Sequence, residues 1–132
     1  MPFKKAVFLD VSSMGKGLDL SGLQPFADSW SNYNTSEPAE VLERIINADL
    51  VLSNKVMLDK DTLSQCKQLK LICVTATGTN NVDIEAAREL AIAVTNVTGY
   101  GTPSVVQHVF SLLLSLTSRL TEHQQAAKDG RW

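Results

Sequence analysis

The sequence predicts an α/β domain built on a parallel sheet with helices packed against it. Strand-like apolar runs alternate with helix-like patterns from end to end, which favours parallel strands joined by helices. The run from Leu69 to Thr75 is apolar on both faces, as a central parallel strand should be. The 132 residues, 44% apolar and 20% charged, suit one domain with a real core and exclude a disordered chain.

Each element has its own local reason. Lys5 to Asp10, with Ala6, Val7, Phe8 and Leu9 in succession, reads as the first strand. The segment from Gly15 to Thr35 is punctuated by Gly15, Gly17, Pro25 and Trp30 and gives no readable element. Ser36 is placed to cap a helix with Pro38 in its first turn, where Val41, Leu42, Ile45 and Ile46 repeat at helical spacing. Leu50 to Leu52 is the next strand, ending at Ser53-Asn54-Lys55, and Asp59 to Lys67 is a short helix. Asp83 caps a helix through Leu90, with Ile84, Ala87 and Leu90 on one face, and Ala91 to Val97 is a further strand. Thr102-Pro103 supplies a capping hydroxyl and a proline at the first helical position. One long helix is expected from there to a stop at Gly130, with an apolar band between Val105 and Leu116 wide enough to be buried on two sides.

Composition excludes several function classes. Twelve basic and 14 acidic residues give a net charge of −2 with no basic block, which argues against nucleic acid as a partner. The apolar run near the start is too short for the core of a signal peptide. Val105 to Leu120 is interrupted by Gln107, His108, Ser111, Ser115, Thr117, Ser118 and Arg119, so no membrane span is expected. Cys66 and Cys73 have no second pair, which suggests neither a metal site nor a disulfide framework but two buried thiols in a reducing cytoplasm.

In an open parallel sheet, ligands gather beyond the carboxyl ends of the strands. Three segments meet that description: Ser53-Asn54-Lys55, Ala76 to Asn81, and Asn96 to Thr102. In the second, the small residues Ala76 and Gly78 let a ligand approach the main chain, and the N–H groups of Thr77 and Gly78 are available to a carboxylate. The same residues also suit an ordinary strand-to-helix turn, in which Asn80 and Asn81 tolerate positive φ. Tyr100, between Gly99 and Gly101, either presents its phenol or packs locally. His108 follows Ser104 by four residues, but no acid is spaced to orient its imidazole. Neither a G-x-G-x-x-G nor a G-x-x-x-x-G-K-[ST] phosphate loop occurs.

Two motifs in register narrow the reading. Ala76-Thr77-Gly78-Thr79-Asn80-Asn81-Val82-Asp83, continuing into Ile84-Glu85-Ala86-Ala87-Arg88, is followed by Val94-Thr95-Asn96-Val97-Thr98-Gly99-Tyr100-Gly101-Thr102-Pro103-Ser104-Val105-Val106-Gln107-His108. Together they resemble the D-isomer-specific 2-hydroxyacid dehydrogenases, most closely the glycerate dehydrogenase (hydroxypyruvate reductase) branch, which Asn54-Lys55-Val56 also matches. The resemblance runs from about Lys4 to Trp132. Ala91 departs from it, standing where a glycine usually ends the preceding helix.

The resemblance implies a flavodoxin-like substrate domain, a parallel sheet with helices on both faces. It is incomplete here because an inserted Rossmann-type nucleotide domain and a returning C-terminal piece are absent. Residues 1–102 would be the substrate-binding segment, and residues 103–132 a long helix and linker toward the missing domain. Thr77 and Gly78 would offer main-chain N–H groups to the substrate carboxylate, Tyr100 would line the pocket, and Asn54 would stand at its rim. Ser104 and Val105 would approach the nicotinamide. The family's catalytic arginine, glutamate and histidine would lie in the absent part, since Arg88, Arg119, His108 and His123 do not match them, so the chain alone is expected to be inactive. The intact enzyme is expected to be a cytoplasmic homodimer using NAD(H) or NADP(H) on a small 2-oxo or 2-hydroxy acid. The alternatives are a non-catalytic carboxylate-binding module and a receiver-like module. For the latter, Ser53-Asn54 and Thr95-Asn96 stand where a phosphoacceptor aspartate and a lysine are needed.

Overall fold

A computed structural model of the chain describes residues 3–131; Met1, Pro2 and Trp132, which end the two predicted segments, lie outside the described residues. The chain divides into two compact units that meet between Thr98 and Gly99.

The first unit is a five-stranded, wholly parallel sheet. Its strands are β1 (Phe3–Phe8), β2 (Ala27–Asn32), β3 (Leu50–Ser53), β4 (Leu71–Val74) and β5 (Ala93–Asn96), in the order β2-β1-β3-β4-β5. Three helices connect them: α1 (Pro38–Ile45), α2 (Lys60–Gln65) and α3 (Ile84–Glu89). Consecutive side chains of β1 point to opposite faces, and Ala6, Val7, Phe8 and Leu9 are all buried, so both faces of this strand are covered. Val7, Leu9, Val51, Ile72 and Val74 face Val41 and Ile45 of α1, Leu63 of α2, and Ala86 and Ala87 of α3. Ala6, Phe8, Leu50 and Leu52 form the opposite face, against Leu20, Leu23 and Trp30. Fully burying side chains of this size stabilises by roughly 1.5 to 3 kcal/mol each.

Local chemistry sets the boundaries. The Asp59 and Asp83 carboxylates each accept the N–H three residues on, from Thr62 and Ala86, and start α2 and α3. α1 begins differently from the sequence expectation. Glu37 is its N-cap, and the Glu40 carboxylate reaches back to the Glu37 N–H at 2.9 Å. The Ser36 hydroxyl is drawn away to the Leu9 carbonyl and accepts from Arg44. Within the stretch left unread lies β2, preceded by the 3₁₀ turns Val11–Met14 and Ser21–Phe26. Four of the six β2 residues are polar, which an edge strand with one neighbour tolerates.

The second unit holds α4 (Thr102–Thr117) and α5 (Leu120–Lys128) in place of one long helix. The break falls at Arg119, whose φ of 52° is left-handed. It follows Thr117 and Ser118, whose hydroxyls donate back to the Leu113 and Leu114 carbonyls and compete with the helical ladder. Gly101, not Thr102, is the N-cap of α4; Thr102 is already helical, and Pro103 lies in the first turn as expected. The apolar band from Val105 to Leu116 is exposed rather than buried on two sides. A unit of two helices is too small to enclose it.

Candidate active site

The turn after β4 is held by three hydrogen bonds, from the β3 side and from the β5 side. The Thr75 N–H donates to the Ser53 carbonyl at 2.9 Å, prolonging the pairing with β3. From the β5 side, the Val97 N–H donates to the Ala76 carbonyl at 3.1 Å and the Asn96 side-chain amide to the Thr77 carbonyl at 2.7 Å. The exposed N–H groups of Thr77 and Gly78 are left with no acceptor among the described residues. A pair of adjacent amides, fixed and free, is suited to holding an anion's oxygens. Gly78 also leaves room for the Asn80 side chain: a Cβ there would stand 3.0 Å from Asn80 Oδ1.

The facing wall is the segment after β3. The Asp10 carboxylate, buried at the end of β1, accepts the Asn54 N–H at 2.9 and 3.1 Å and the Lys55 N–H at 2.6 Å. The buried Ser53 hydroxyl accepts the Val56 N–H at 3.1 Å, and Asn81 Nδ2 donates to the Val56 carbonyl at 3.2 Å. Between this wall and the β4 turn lies a cavity of about 260 Å³, lined by Asn54, Lys55, Met57, Ala76, Gly78 and Asn80 among others. Asn54 and Gly78, singled out from the sequence, therefore share one pocket, and Thr77 is the neighbour of Gly78. Asp10, Asn81 and Asn96, which organise the pocket, were missed as site residues. Asn81 and Asn96 lie within the loop segments flagged from the sequence without being singled out, and only its position past the end of the first strand could have flagged Asp10.

A second cavity, of about 460 Å³, opens beyond the carboxyl ends of β1 and β3 and includes Asp10, Ser12, Ser36, Val41 and Lys55 in its lining. This is where the strand order reverses, since the chain runs from β1 outward to β2 on one side and from β3 outward to β4 on the other. Lys55 and Met57 line both cavities, so the segment carrying them is a shared partition.

Tyr100, Ser104 and Val105 belong to the second unit. Tyr100 follows Gly99, whose φ is 74°, and is 70% exposed. Ser104 and Val105 are exposed in the first turn of α4, where the Val105 N–H bonds to the Gly101 carbonyl. His108 and His123 are exposed, and no group of three metal-ligating side chains occurs among the described residues. No described helix is long and apolar enough to cross a membrane.

The model of the D-isomer specific 2-hydroxyacid dehydrogenase catalytic domain matches residues 14–128. A Haemophilus influenzae protein, provisionally named a 2-hydroxyacid dehydrogenase, is 41% identical over 97% of this chain and 40% of its own length. The hydroxypyruvate reductase of Blautia hydrogenotrophica is 34% identical over 97% of this chain and 41% of its own. Among solved structures, the D-lactate dehydrogenase of Aquifex aeolicus complexed with NAD and lactic acid superimposes with a TM-score of 0.72 at 23% identity, covering 96% of this chain and 38% of that one. The chain thus spans about two fifths of the length of the relatives it matches.

Proposed function

We propose, since this chain belongs to the D-isomer specific 2-hydroxyacid dehydrogenase family, that it is the substrate-binding segment of an enzyme interconverting a small 2-oxo acid and its D-2-hydroxy acid. Hydroxypyruvate with D-glycerate and glyoxylate with glycolate are the substrate pairs. The observation that carries the reading is the pair of amides at Thr77 and Gly78, unpartnered among the described residues, beside a cavity of about 260 Å³ that Gly78 lines and that suits a molecule of a few heavy atoms. Each such bond to a carboxylate contributes roughly 1.5 to 3 kcal/mol. Asn54 stands at the rim.

Family membership and the partial coverage of the relatives support a division of labour. Residues 1–102 form the substrate segment and residues 103–132 lead toward a nucleotide domain. The chain lacks a glycine-rich phosphate turn, so its share of the NAD(H) or NADP(H) site is confined to Ser104 and Val105, whose exposure in the first turn of α4 suits an approach to a flat ring. The nicotinamide, when bound, supplies or takes the hydride. Tyr100 contacts the substrate. No residue of this chain is assigned as the acid-base group, and the chain by itself does not turn over. The complete enzyme is a cytoplasmic homodimer.

The test is a chimera in which this chain replaces the matching segment of the Blautia hydrogenotrophica hydroxypyruvate reductase. The expected result is oxidation of the reduced cofactor with hydroxypyruvate by the chimera and none by the 132 residues alone. A folded but inert chimera overturns the substrate assignment, and turnover by the chain alone overturns the division of labour.

A further inference from the structure

The Asp10 carboxylate is 5% exposed and stands where the β1–β3 ladder ends, its last rung being the bond from the Leu9 N–H to the Leu52 carbonyl at 3.0 Å. Past that rung, the amides of Asn54 and Lys55 would have no strand partner. Both are taken by Asp10, whose two oxygens make three contacts of 2.6 to 3.1 Å across 44 and 45 positions of sequence. The turn that follows Asp10 adds a fourth tie, the Ser13 carbonyl accepting from Asn54 Nδ2 at 3.4 Å. No cation pairs with Asp10 among the described salt bridges. Burying a carboxylate is costly unless it is well hydrogen-bonded, and these amides meet that condition.

The segment so held is the partition between the two cavities, carrying Lys55 and Met57 on its way to Leu58. We propose that Asp10 is a positioning residue that fixes the Asn54–Met57 partition and thereby limits the size of the group on the 2-oxo carbon that the smaller cavity admits. This rests on the reading of that cavity as the 2-oxo acid site. With the clamp intact the pocket ends at the partition. With it lost, the partition relaxes toward the larger cavity of about 460 Å³, and bulkier substrates gain room.

The experiment compares glyoxylate, which has no such substituent, with phenylpyruvate in the complete dehydrogenase, as wild type, Asp10→Asn and Asp10→Ser. Asn keeps the shape but sets an NH₂ against an amide donor; Ser removes the carboxylate altogether. The expected result is that the ratio of kcat/KM for phenylpyruvate over glyoxylate rises at least about ten-fold in both variants. Equal losses on both substrates would mean a merely structural residue and would overturn the proposal. A wild-type enzyme that reduces neither compound removes instead the reading of the site. If neither variant folds, amide exchange in the wild-type protein decides: protection of the Asn54 and Lys55 amides by about 100-fold or more supports the clamp, and exchange at the rate of a free peptide overturns it.

Discussion

The side-chain amide of Asn96, at the end of β5, donates to the carbonyl of Thr77 at 2.7 Å. The described peptide bonds are all trans, so the N–H of Gly78 must point opposite to the Thr77 carbonyl that Asn96 holds. Asn96 thus sets the direction of an amide that it does not touch.

Replacing Asn96 with alanine in the complete enzyme releases that peptide plane. A neutral hydrogen bond is worth about 0.5 to 1.5 kcal/mol, so KM for the 2-oxo acid should rise roughly two- to ten-fold with kcat nearly unchanged. Steady-state kinetics checks this. An unchanged KM would show that the turn keeps its geometry without β5.

Gly78→Val should weaken substrate binding more strongly. Even the first added carbon would meet Asn80 Oδ1 at 3.0 Å, and a branched side chain takes up space beside the two amides. KM should rise by more than about ten-fold, the loss of one charge-assisted bond. Thermal unfolding of the variant should change little, because Gly78 is exposed and its φ is not left-handed.

Asp49 predicts an acid-sensitive term in stability. Burial alone would raise the pKa of its carboxyl, but hydrogen bonds from the Lys4 and Lys5 amides, at 3.0 and 2.8 Å, and the charge of Lys70 together hold it below the usual carboxylate value. A depressed folded pKa stabilises above the unfolded pKa of ~3.9, and this contribution is lost as pH falls through the lower folded value. Asp49→Ala should cost about 1 to 3 kcal/mol at neutral pH by leaving two amides unpartnered. Urea unfolding from pH 7 to pH 2 should show the difference from wild type shrinking at the acid end; a pH-independent difference would contradict it.

Ala91 is the residue to change for added stability. Its φ is 57°, and the chain closes α3 there, with the Ile92 N–H on the Ala87 carbonyl at 2.8 Å and the Ala91 N–H on the Arg88 carbonyl at 3.1 Å. A left-handed L-residue costs roughly 1 to 2 kcal/mol, and Ala91 is exposed, so glycine removes strain without losing a buried contact. Ala91→Gly should raise stability by about 1 kcal/mol in urea unfolding, after the added freedom of glycine in the unfolded chain is offset. A loss of stability would mean that the backbone there is not strained.

Legibility followed the range of the forces. β3 and the second half of β1 announce themselves because strands buried on both faces must be continuously apolar, β4 because its apolar run fills one face and half-buries the other, and α3 because Asp83 bonds an amide only three residues away. β2 is illegible because its partner β1, rather than its own polar sequence, makes it a strand. The break at Arg119 depends on two hydroxyls competing for carbonyls that an unbroken helix would also offer. In the site, Asn54 and Gly78 are readable as loop positions beyond strand ends. The Asp10 clamp and the Asn96 bond are not, since they join residues 44 and 19 positions apart in sequence.

Backbone ¹⁵N–¹H spectra of the complete enzyme titrated with oxalate read the Thr77 and Gly78 amides one by one. These two resonances should move furthest and saturate together, with Asn54 following. Saturable binding that leaves both in place while other residues shift would contradict the proposed function.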